Sequence, residues 1–466
     1  MLPNIINNKD IIELPLSKSY IIRLAIAAFF SNDIDILESI AQQRNLSDDI
    51  KAILRCIYSC IIGNIAFCGE SATVLRLFTL VYSFFLENNV ASFIIEGTLQ
   101  SRLIKELHEL LLQVKIKNTV KKVTLNNIDI IKNVNLGCSS YKYSNCLKQK
   151  LPTDNFNKLN YLHNLYHDYV YELNSNKHNN KEVTQIDLYS SIKSGDYIID
   201  ASKTSQFLSG LLMSLPLCRG NSKLEVINLH SKGYVELTLD IIKKFGIRLK
   251  KDNLISDGIS KDIYYIPGNQ KYTKKINDTD ILEKDWSAAA NLLVLGAIHG
   301  NIKLRGLSLK SLQPDKIIYD FFKNININMN YCNNILTINK SHINGFIFDA
   351  SNNPDLIPPL VVLALYAESE SYIYGIDRLI KKECDRKTAI IEEFQKLGAK
   401  IICEENKNRF VVFPSILKSN YVSSHQDHRM AMALAIAAVN IKDGIEIDNI
   451  ICVNKSYPNF FDIFKQ

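Results

Sequence analysis

One short unit recurs along this 466-residue chain: a helix of small apolar residues, a break, then a strand. It reads at 21–29 into 34–37, at 207–218 through Gly220 into 223–228, and at 287–299 through Gly300 into 302–307. It reads again at 360–367 into 372–376, and at 430–439 through Gly444 into 445–451. A helix–glycine–strand version runs through Gly246 into 247–250 and through Gly398 into 399–403. Each unit is too small to bury its own apolar face, so the copies must stack. Helices rich in Ala, Gly and Ser pack closely, which predicts an α/β protein with buried helices covered by sheet.

The length allows two domains, or one with large insertions. The stretch 126–194 breaks the pattern. It is dense in Asn, Lys, Tyr and His with weak apolar periodicity, and reads as an insertion or long surface excursion, of which residues from about 140 to 190 are expected to be dispensable for chemistry. Within it His163 and His167 are four apart and can share a helix face, but no clear third ligand stands near them, so no metal site is expected.

Composition excludes several classes. Hydrophobic content of 47% with 22% charged residues is that of a globular protein. The net charge of +7 comes from a chain rich in Lys, Asn and Ile; the Tyr- and Lys-rich 126–194 stretch is the only candidate for the clustered basic and aromatic residues of a nucleic-acid binder, and no such role is expected. No run of 18 apolar residues suggests a membrane span, and residues 1–10 lack a basic-then-apolar signal pattern. The ten cysteines form no C-x-x-C pair, which points to reduced thiols in a cytoplasmic protein. Cys56, Cys60 and Cys68 are the closest group and read as core packing.

The chemistry concentrates at helix starts. Residues 382–386 read Lys-Glu-Cys-Asp-Arg and are expected to open a helix, with apolar Ile390, Phe394 and Leu397 and a stop at Gly398. Lys382 and Arg386, four apart, would share a face of the first turn, where like charges repel and the helix dipole disfavours cations. The arrangement makes sense when an anion sits between them, with Glu383 as a candidate proton carrier; a solvated charged helix start is the alternative. Similar starts carry Ser17, Lys18 and Ser19 with Arg23, Gly69 to Thr73 with Arg76, Thr204, Ser205 and Gln206, Ser231 with Lys232 and Tyr234, Asn353 with Pro354 and Asp355, and Asp427 with His428 and Arg429. Each alone fits a plain N-cap. Together they suggest a cavity for a small molecule carrying several negative charges.

These strings resemble the 5-enolpyruvylshikimate-3-phosphate synthase (EPSP synthase) family. The matches are 16–23 (LSKSYIIR), 69–76 (GESATVLR), 205–213 (SQFLSGLLM), 231–246 (SKGYVELTLDIIKKFG), 285–290 (DWSAAA), 382–386 (KECDR), 427–432 (DHRMAM) and 455–461 (KSYPNFF), in family order. The resemblance implies the two-domain enolpyruvyl transferase fold, each domain built from three α/β units with helices inside and sheets outside. Residues 1–17 with 283–466 would form one domain and 18–282 the other. Family active sites lie in the cleft, with helix N-termini pointing into it.

The implied reaction joins shikimate 3-phosphate and phosphoenolpyruvate and releases phosphate, with no metal and no cofactor. By resemblance Asp355 takes the 5-hydroxyl proton, while Glu383 and Lys18 are both candidates for protonating the methylene carbon. Shikimate 3-phosphate would be held by Lys18, Ser19, Arg23, Thr204, Ser205, Gln206, Ser231, Tyr234, Asp355 and Lys382. Phosphoenolpyruvate would be held by Lys18, Ala72, Arg102, Gln206, Arg386, Arg429 and Lys455. His428 is assigned to supporting its neighbouring arginine. The expected protein is a monomer with small-molecule substrates, no nucleic acid and no membrane.

The chain departs from the family pattern at several points. Thr204 replaces a Ser but keeps the hydroxyl, Arg378 stands where Asn is common, and Leu103 follows Arg102 where the family usually has Pro. Glu70 and Ala72 replace the Asn and Gly of the family's Gly-Asn-Ala-Gly-Thr loop. Two alternatives remain: the transferase that uses UDP-N-acetylglucosamine as acceptor, and a non-catalytic relic that keeps the fold and ligand binding.

Overall fold

The computed structural model describes residues 11–86, 90–102, 104–125, 159–174, 181–256, 259–275, 281–380 and 382–464. The chain divides into two units. The first comprises Met1–Lys18, Asn45–Ser47 and Leu282–Gln466; the second comprises Ser19–Arg44 and Asp48–Ile281.

Among the described residues the repeat is a strand, a helix, a parallel strand, a second helix, then a hairpin that adds antiparallel to the second strand. In the second unit one copy uses strands Ala66–Gly69, Ala91–Ile95, Asn118–Thr124 and Glu182–Leu188, and the next uses Asp196–Asp200, Ser222–Ile227, Lys250–Ser256 and Ile259–Ile266. In the first unit one copy uses Ile11–Glu13, Ile302–Arg305, Met329–Cys332 and Ile335–Ile338, and the next uses Ile347–Asp349, Ser371–Tyr374, Lys400–Glu404 and Arg409–Phe413. An abbreviated copy pairs only Tyr421–Val422 with Glu446–Ile447, around helix His428–Ala437. In all four full sheets the last strand in sequence lies inside the sheet, between the second and third.

The period of each segment explains its layer. Strands Asp196–Asp200, Ser222–Ile227, Ile302–Arg305, Ile335–Ile338 and Ser371–Tyr374 alternate buried and accessible residues, as a half-covered sheet does, whereas Ala66–Gly69 is buried throughout; Phe348, Ile373 and Phe410 form one cross-strand row facing the core. Helices Trp286–Ile298, Ile357–Leu365 and His428–Ala437 are buried at every residue and pack on one another inside the first unit. A helix apolar on all sides is stable only in such an interior, where each large apolar side chain contributes roughly 1.5–3 kcal/mol. In the second unit, helix Gln206–Ser214 packs against helices Ala72–Ser83 and Lys232–Lys244. Gly210 allows the first of these approaches, since a Cβ there would lie 3.3 Å from the Arg76 carbonyl oxygen. Among the described residues no helix is long and apolar enough to cross a membrane.

Several expectations need correction. Residues 34–37 are not a strand but the start of helix Ile34–Ala41: Asp33 caps it by accepting from the Ile36 amide at 3.2 Å, and Ile34, Ile36, Leu37 and Ile40 form its buried face. The strand expected at 247–250 begins only at Lys250, and that at 445–451 shrinks to Glu446–Ile447. The reading of 126–194 as a surface excursion does not hold for its second half. Strand Glu182–Leu188 lies inside a sheet, bonded on both edges. Helix Asn160–Asn174 packs on helix Asp48–Ile62 through buried Leu162, Tyr166, Val170 and Leu173. The repeat is interrupted inside its hairpin, between Thr124 and Glu182, and 182–194 belongs to the repeat. Residues 126–158 lie outside the described residues.

Candidate active site

In four copies the segment after the first strand, leading into the first helix, carries a singled-out motif: Glu70 to Thr73, Thr204 to Gln206, Asn353 to Asp355 and Asp427 to Arg429. This follows from the repeat. A parallel strand–helix–strand unit presents unpaired helix N–H groups just beyond the strand's carboxyl end, where anions are favoured.

In the first unit the residues converge on one guanidinium. Arg386 is 1% exposed and meets three carboxylates: its Nη1 donates to Asp355 Oδ1 at 2.8 Å, its Nη2 to Glu383 Oε2 at 2.7 Å, and its Nε to Asp427 Oδ2 at 2.6 Å. Asp355 also receives Lys382 Nζ at 3.4 Å on Oδ1 and Arg429 Nη2 at 3.0 Å on Oδ2. Lys455 Nζ lies 3.4 Å from Glu383 Oε1. Four cations therefore interlock with three carboxylates.

This corrects the reading of 382–386. The helix opens at Arg386, because Asp385 caps it by accepting from the Lys387 and Thr388 amides at 3.1 and 3.3 Å. Lys382 and Glu383 precede the helix and do not share its first turn with Arg386. The anion between the two cations is a side chain of the chain itself, Asp355.

The electrostatics follow from this packing. Burial pushes the Asp355 carboxyl up, but Arg429, Lys382 and Arg386 outweigh it and hold the group well below the usual carboxylate range. Burial works against the Arg386 cation, yet Asp427, Glu383 and Asp355 raise its proton affinity well above the ordinary arginine. Asp315 behaves oppositely. Burial and the neighbouring Asp355 charge raise it, although it accepts from Ser287 Oγ at 2.5 Å and Asn353 Nδ2 at 3.1 Å. His428 is 1% exposed, and both ring nitrogens are buried without a hydrogen-bond partner. Burial, together with the Lys18, Arg429 and Arg386 charges, holds its imidazole well below the ordinary histidine value. These surroundings favour the uncharged ring, and Lys18 is near enough to act on it.

In the second unit the residues are held by neutral groups. Arg23, 1% exposed, donates from Nε to Thr238 Oγ1 at 2.7 Å, from Nη1 to the Ser19 carbonyl at 2.7 Å and from Nη2 to Ser209 Oγ at 3.3 Å. It ties helix Lys18–Ser31 to helices Gln206–Ser214 and Lys232–Lys244. Burial lowers its guanidinium to about 10, with Tyr234 pulling the other way. Ser231 takes a left-handed backbone conformation (φ 54°) ahead of helix Lys232–Lys244, and its carbonyl accepts from the Tyr234 amide at 3.1 Å. Beside it, Ser202, Asn228, Leu229, His230, Lys232 and Asp262 line an open hollow of about 310 Å³.

A second set gathers on Arg76. Its Nη1 donates to Gln206 Oε1 at 2.8 Å and its Nη2 to the Arg102 carbonyl at 3.4 Å, while Gln206 Nε2 donates to Thr73 Oγ1 at 3.0 Å. Thr204 Oγ1 accepts from the Gln206 amide at 3.2 Å, and Ser205 is buried at the N-cap with no side-chain cap bond. Ala72 is the buried first residue of helix Ala72–Ser83, capped by Ser71. Ala72, Arg102, Thr204 and Gln206 therefore share a neighbourhood organised by Arg76.

Sequence reasoning placed Arg76 and Asp427 at helix starts of interest without giving either a role in the site, and it passed over Asp315. Arg76 and Asp427 stand inside matched strings, and Asp427 carries an N-cap signature. Asp315 had no local signal, because only tertiary packing brings it to Ser287 and Asn353.

The sequence profile of the EPSP synthase (3-phosphoshikimate 1-carboxyvinyltransferase) family matches residues 173–464. Lys18, Ser19, Arg23, Ala72 and Arg102 lie before that stretch. The 3-phosphoshikimate 1-carboxyvinyltransferase of Clostridium kluyveri is 38% identical over 275 residues, 59% of this chain and 62% of that protein. The protein of the same name from Clostridium beijerinckii is 39% identical over 277 residues, 59% of this chain and 61% of that one. The chain thus spans less than two thirds of the length of these relatives. In structure, EPSP synthase from Acinetobacter baumannii superposes with a TM-score of 0.60 at 14% identity, covering 97% of this chain and 94% of that one. The enolpyruvyl transferase NikO from Streptomyces tendae gives 0.57 at 11% identity, covering 98% and 94%.

Proposed function

Because the chain belongs to the EPSP synthase family, we propose that it transfers the enolpyruvyl group of phosphoenolpyruvate to the 5-hydroxyl of shikimate 3-phosphate and releases phosphate. The observation that carries this reading is the cluster around Asp355: a carboxylate buttressed by Arg386, Arg429 and Lys382, with a second acid, Glu383, beside Lys455. The reaction needs a base, an acid and cations for two anionic substrates, and the cluster contains all three.

In this reading the 5-hydroxyl oxygen attacks C2 of phosphoenolpyruvate and its proton passes to Asp355. The methylene carbon gains a proton from Glu383 or Lys18, and the tetrahedral intermediate then expels phosphate while the methyl group so formed gives back one proton, which restores the carbon–carbon double bond. Arg386, Arg429, Lys455, Arg102, Gln206 and Lys18 hold phosphoenolpyruvate, with Ala72 on the wall. Lys382, Lys18, Ser19, Arg23, Thr204, Ser205, Gln206, Ser231, Tyr234 and Asp355 hold shikimate 3-phosphate. Guanidinium forks suit carboxylate and phosphate.

With three cations on its oxygens Asp355 is a weak base. Substrate anions that engage Arg386, Arg429 and Lys382 draw those cations away and raise its proton affinity toward the range a general base needs. The acidic limb of kcat is therefore expected at higher pH than the acidic limb of kcat/KM. A reducing, cytoplasmic setting suits the eight described cysteines, all free thiols. A monomer belongs to the same proposal, and light scattering measures it.

The deciding experiment mixes purified protein with phosphoenolpyruvate and shikimate 3-phosphate, then follows phosphate release and product mass. UDP-N-acetylglucosamine serves as competing acceptor. Release with that sugar alone moves the assignment to the other acceptor. Release with neither removes the transferase reading.

A further inference from the structure

Glu96 is 5% exposed and stands at a junction. Its amide donates to the carbonyl of Gly69 at 3.0 Å, the residue that opens the Glu70 to Thr73 segment. Directly after it, Gly97–Ser101 forms a single 3-10 turn that leads to Arg102. The Glu96 carboxylate is held by the segment that interrupts the repeat. The Tyr169 hydroxyl, from helix Asn160–Asn174, donates to Oε1 at 2.5 Å, and Lys181 Nζ donates to Oε2 at 2.5 Å.

Other contacts fix the same junction. The Arg55 guanidinium lies 3.8 Å above the Tyr169 ring, itself 6% exposed and with its Nε lacking a hydrogen-bond partner. A Cβ on Gly69 would lie 3.3 Å from the Tyr169 hydroxyl and 3.7 Å from Arg55 Nη2, so both side chains cap this backbone. A Cβ on Gly97 would overlap the Glu70 carboxyl, whose Oε2 accepts from Thr98 Oγ1 at 3.1 Å. The two backbone segments that carry Ala72 and Arg102 are thus clamped together, and the clamp closes on Glu96.

We propose that Tyr169 and Lys181 are positioning residues for phosphoenolpyruvate, acting through Glu96 on the segments that carry Ala72 and Arg102. The inference rests on the assignment of those two residues to the phosphoenolpyruvate site. It gives the interrupting segment a role: its helix supplies a tyrosine, and the residue that leads into the next strand a lysine, both reaching one buried carboxylate. Neither Tyr169 nor Lys181 touches a substrate in this account. Their effect is on where the pocket backbone sits.

The test compares the parent with Tyr169→Phe, which removes one hydroxyl, and Lys181→Met, which removes one charge while keeping a comparable stem. Tyr169→Phe is expected to raise KM for phosphoenolpyruvate about 10-fold, the scale of losing a hydrogen bond to a charged group. Its kcat and its KM for shikimate 3-phosphate stay within about 2-fold. Lys181→Met gives a smaller rise of the same selectivity and carries the test if Tyr169→Phe does not fold. Hydrogen exchange supplies a readout independent of turnover: amides at 69–73 and 96–102 exchange faster in either folded variant. Equal changes in both KM values, or unchanged exchange at those amides, overturns the proposal. A parent that releases no phosphate counts against the functional reading instead, and exchange then decides the positioning role alone.

Discussion

Arg386 in the first unit and Arg23 in the second are buried to the same degree, each 1% exposed, yet they are stabilised in opposite ways. Arg386 meets three carboxylates, and its proton affinity rises well above the ordinary value. Arg23 meets a threonine hydroxyl, a serine hydroxyl and a carbonyl, and its guanidinium falls to about 10. Burial costs both of them solvation; only one is repaid within the chain. Under the proposed function the difference separates two kinds of anion site. The first-unit cluster holds its cations ready by pairing them with its own acids, so an arriving anion must displace those acids. Among the described residues Arg23 is held by no acid that must be displaced, so under the proposed function an arriving phosphate would relieve a cation held among neutral partners.

The largest expected effect tests that contrast through stability. Arg386→Met leaves Asp355, Glu383 and Asp427 without their shared cation. Breaking a buried pair in this way costs about 3–5 kcal/mol. Arg23→Met leaves Thr238 and Ser209 bonded to each other at 2.8 Å, so nothing charged is orphaned. Its cost is expected to stay at about 1 kcal/mol. Urea unfolding measures both, and equal losses would erase the distinction between the two arginines.

The next effect is on turnover. Asp355→Asn keeps the shape but cannot take a proton, and kcat is expected to fall at least about 100-fold, the low end for a general acid–base group. Arg23→Met is expected to act on KM for shikimate 3-phosphate with a far smaller change in kcat. A parent-like kcat in Asp355→Asn removes Asp355 from the chemistry.

What could be read from the sequence divides along the same line as what is local and what is not. Helix starts were legible to within a few residues because N-caps and apolar periodicity are local: Asp427 announces its own, whereas the Asp385 cap was read as part of a helix opening at Lys382. The first-unit cluster was half legible. The cations stood out at 382–386 and 427–429, but that Asp355 would fill the space between them depends on packing two copies of the repeat. The 34–37 segment was misread because Ile-Asp-Ile-Leu fits a strand by alternation, while the Asp33 cap decides for helix. Strand Glu182–Leu188 was hidden because it follows a polar stretch, and its place inside the sheet comes from partners about 90 and 65 residues away in sequence, as in Phe93 with Ile186 and Val120 with Ile186. Asp315 and Glu96 were invisible for the same reason: a single acid becomes informative only when tertiary structure buries it.

The smallest expected effect is a pH slope, and it sharpens the comparison from the side of a neutral group. His428 is buried among cations and its folded pKa lies well below that of an exposed histidine. A histidine lowered on folding keeps its full contribution to stability above its unfolded pKa of about 6.5. The contribution is lost as pH falls below that value toward the folded pKa, because the unfolded chain binds the proton and the folded one does not. One such group changes stability by at most about 1.4 kcal/mol per pH unit. Asp355 has the opposite dependence on burial and the same sign of loss, but its folded pKa is depressed below the usual carboxylate range. Its stabilising contribution is lost only below the unfolded value of about 3.9. Between about pH 4.5 and 6.5 the two are therefore separable. His163 and His167 are also lowered by burial and add slope of the same sign, so the readout is the difference between parent and variant. His428→Met replaces the ring with an apolar side chain that cannot titrate. Urea midpoints across that window should fall less steeply in His428→Met than in the parent, while the slope below about pH 4 stays common to both. Parallel curves throughout would mean that the imidazole is charged in the folded cluster, and that the first unit pairs one more cation than its acids can match.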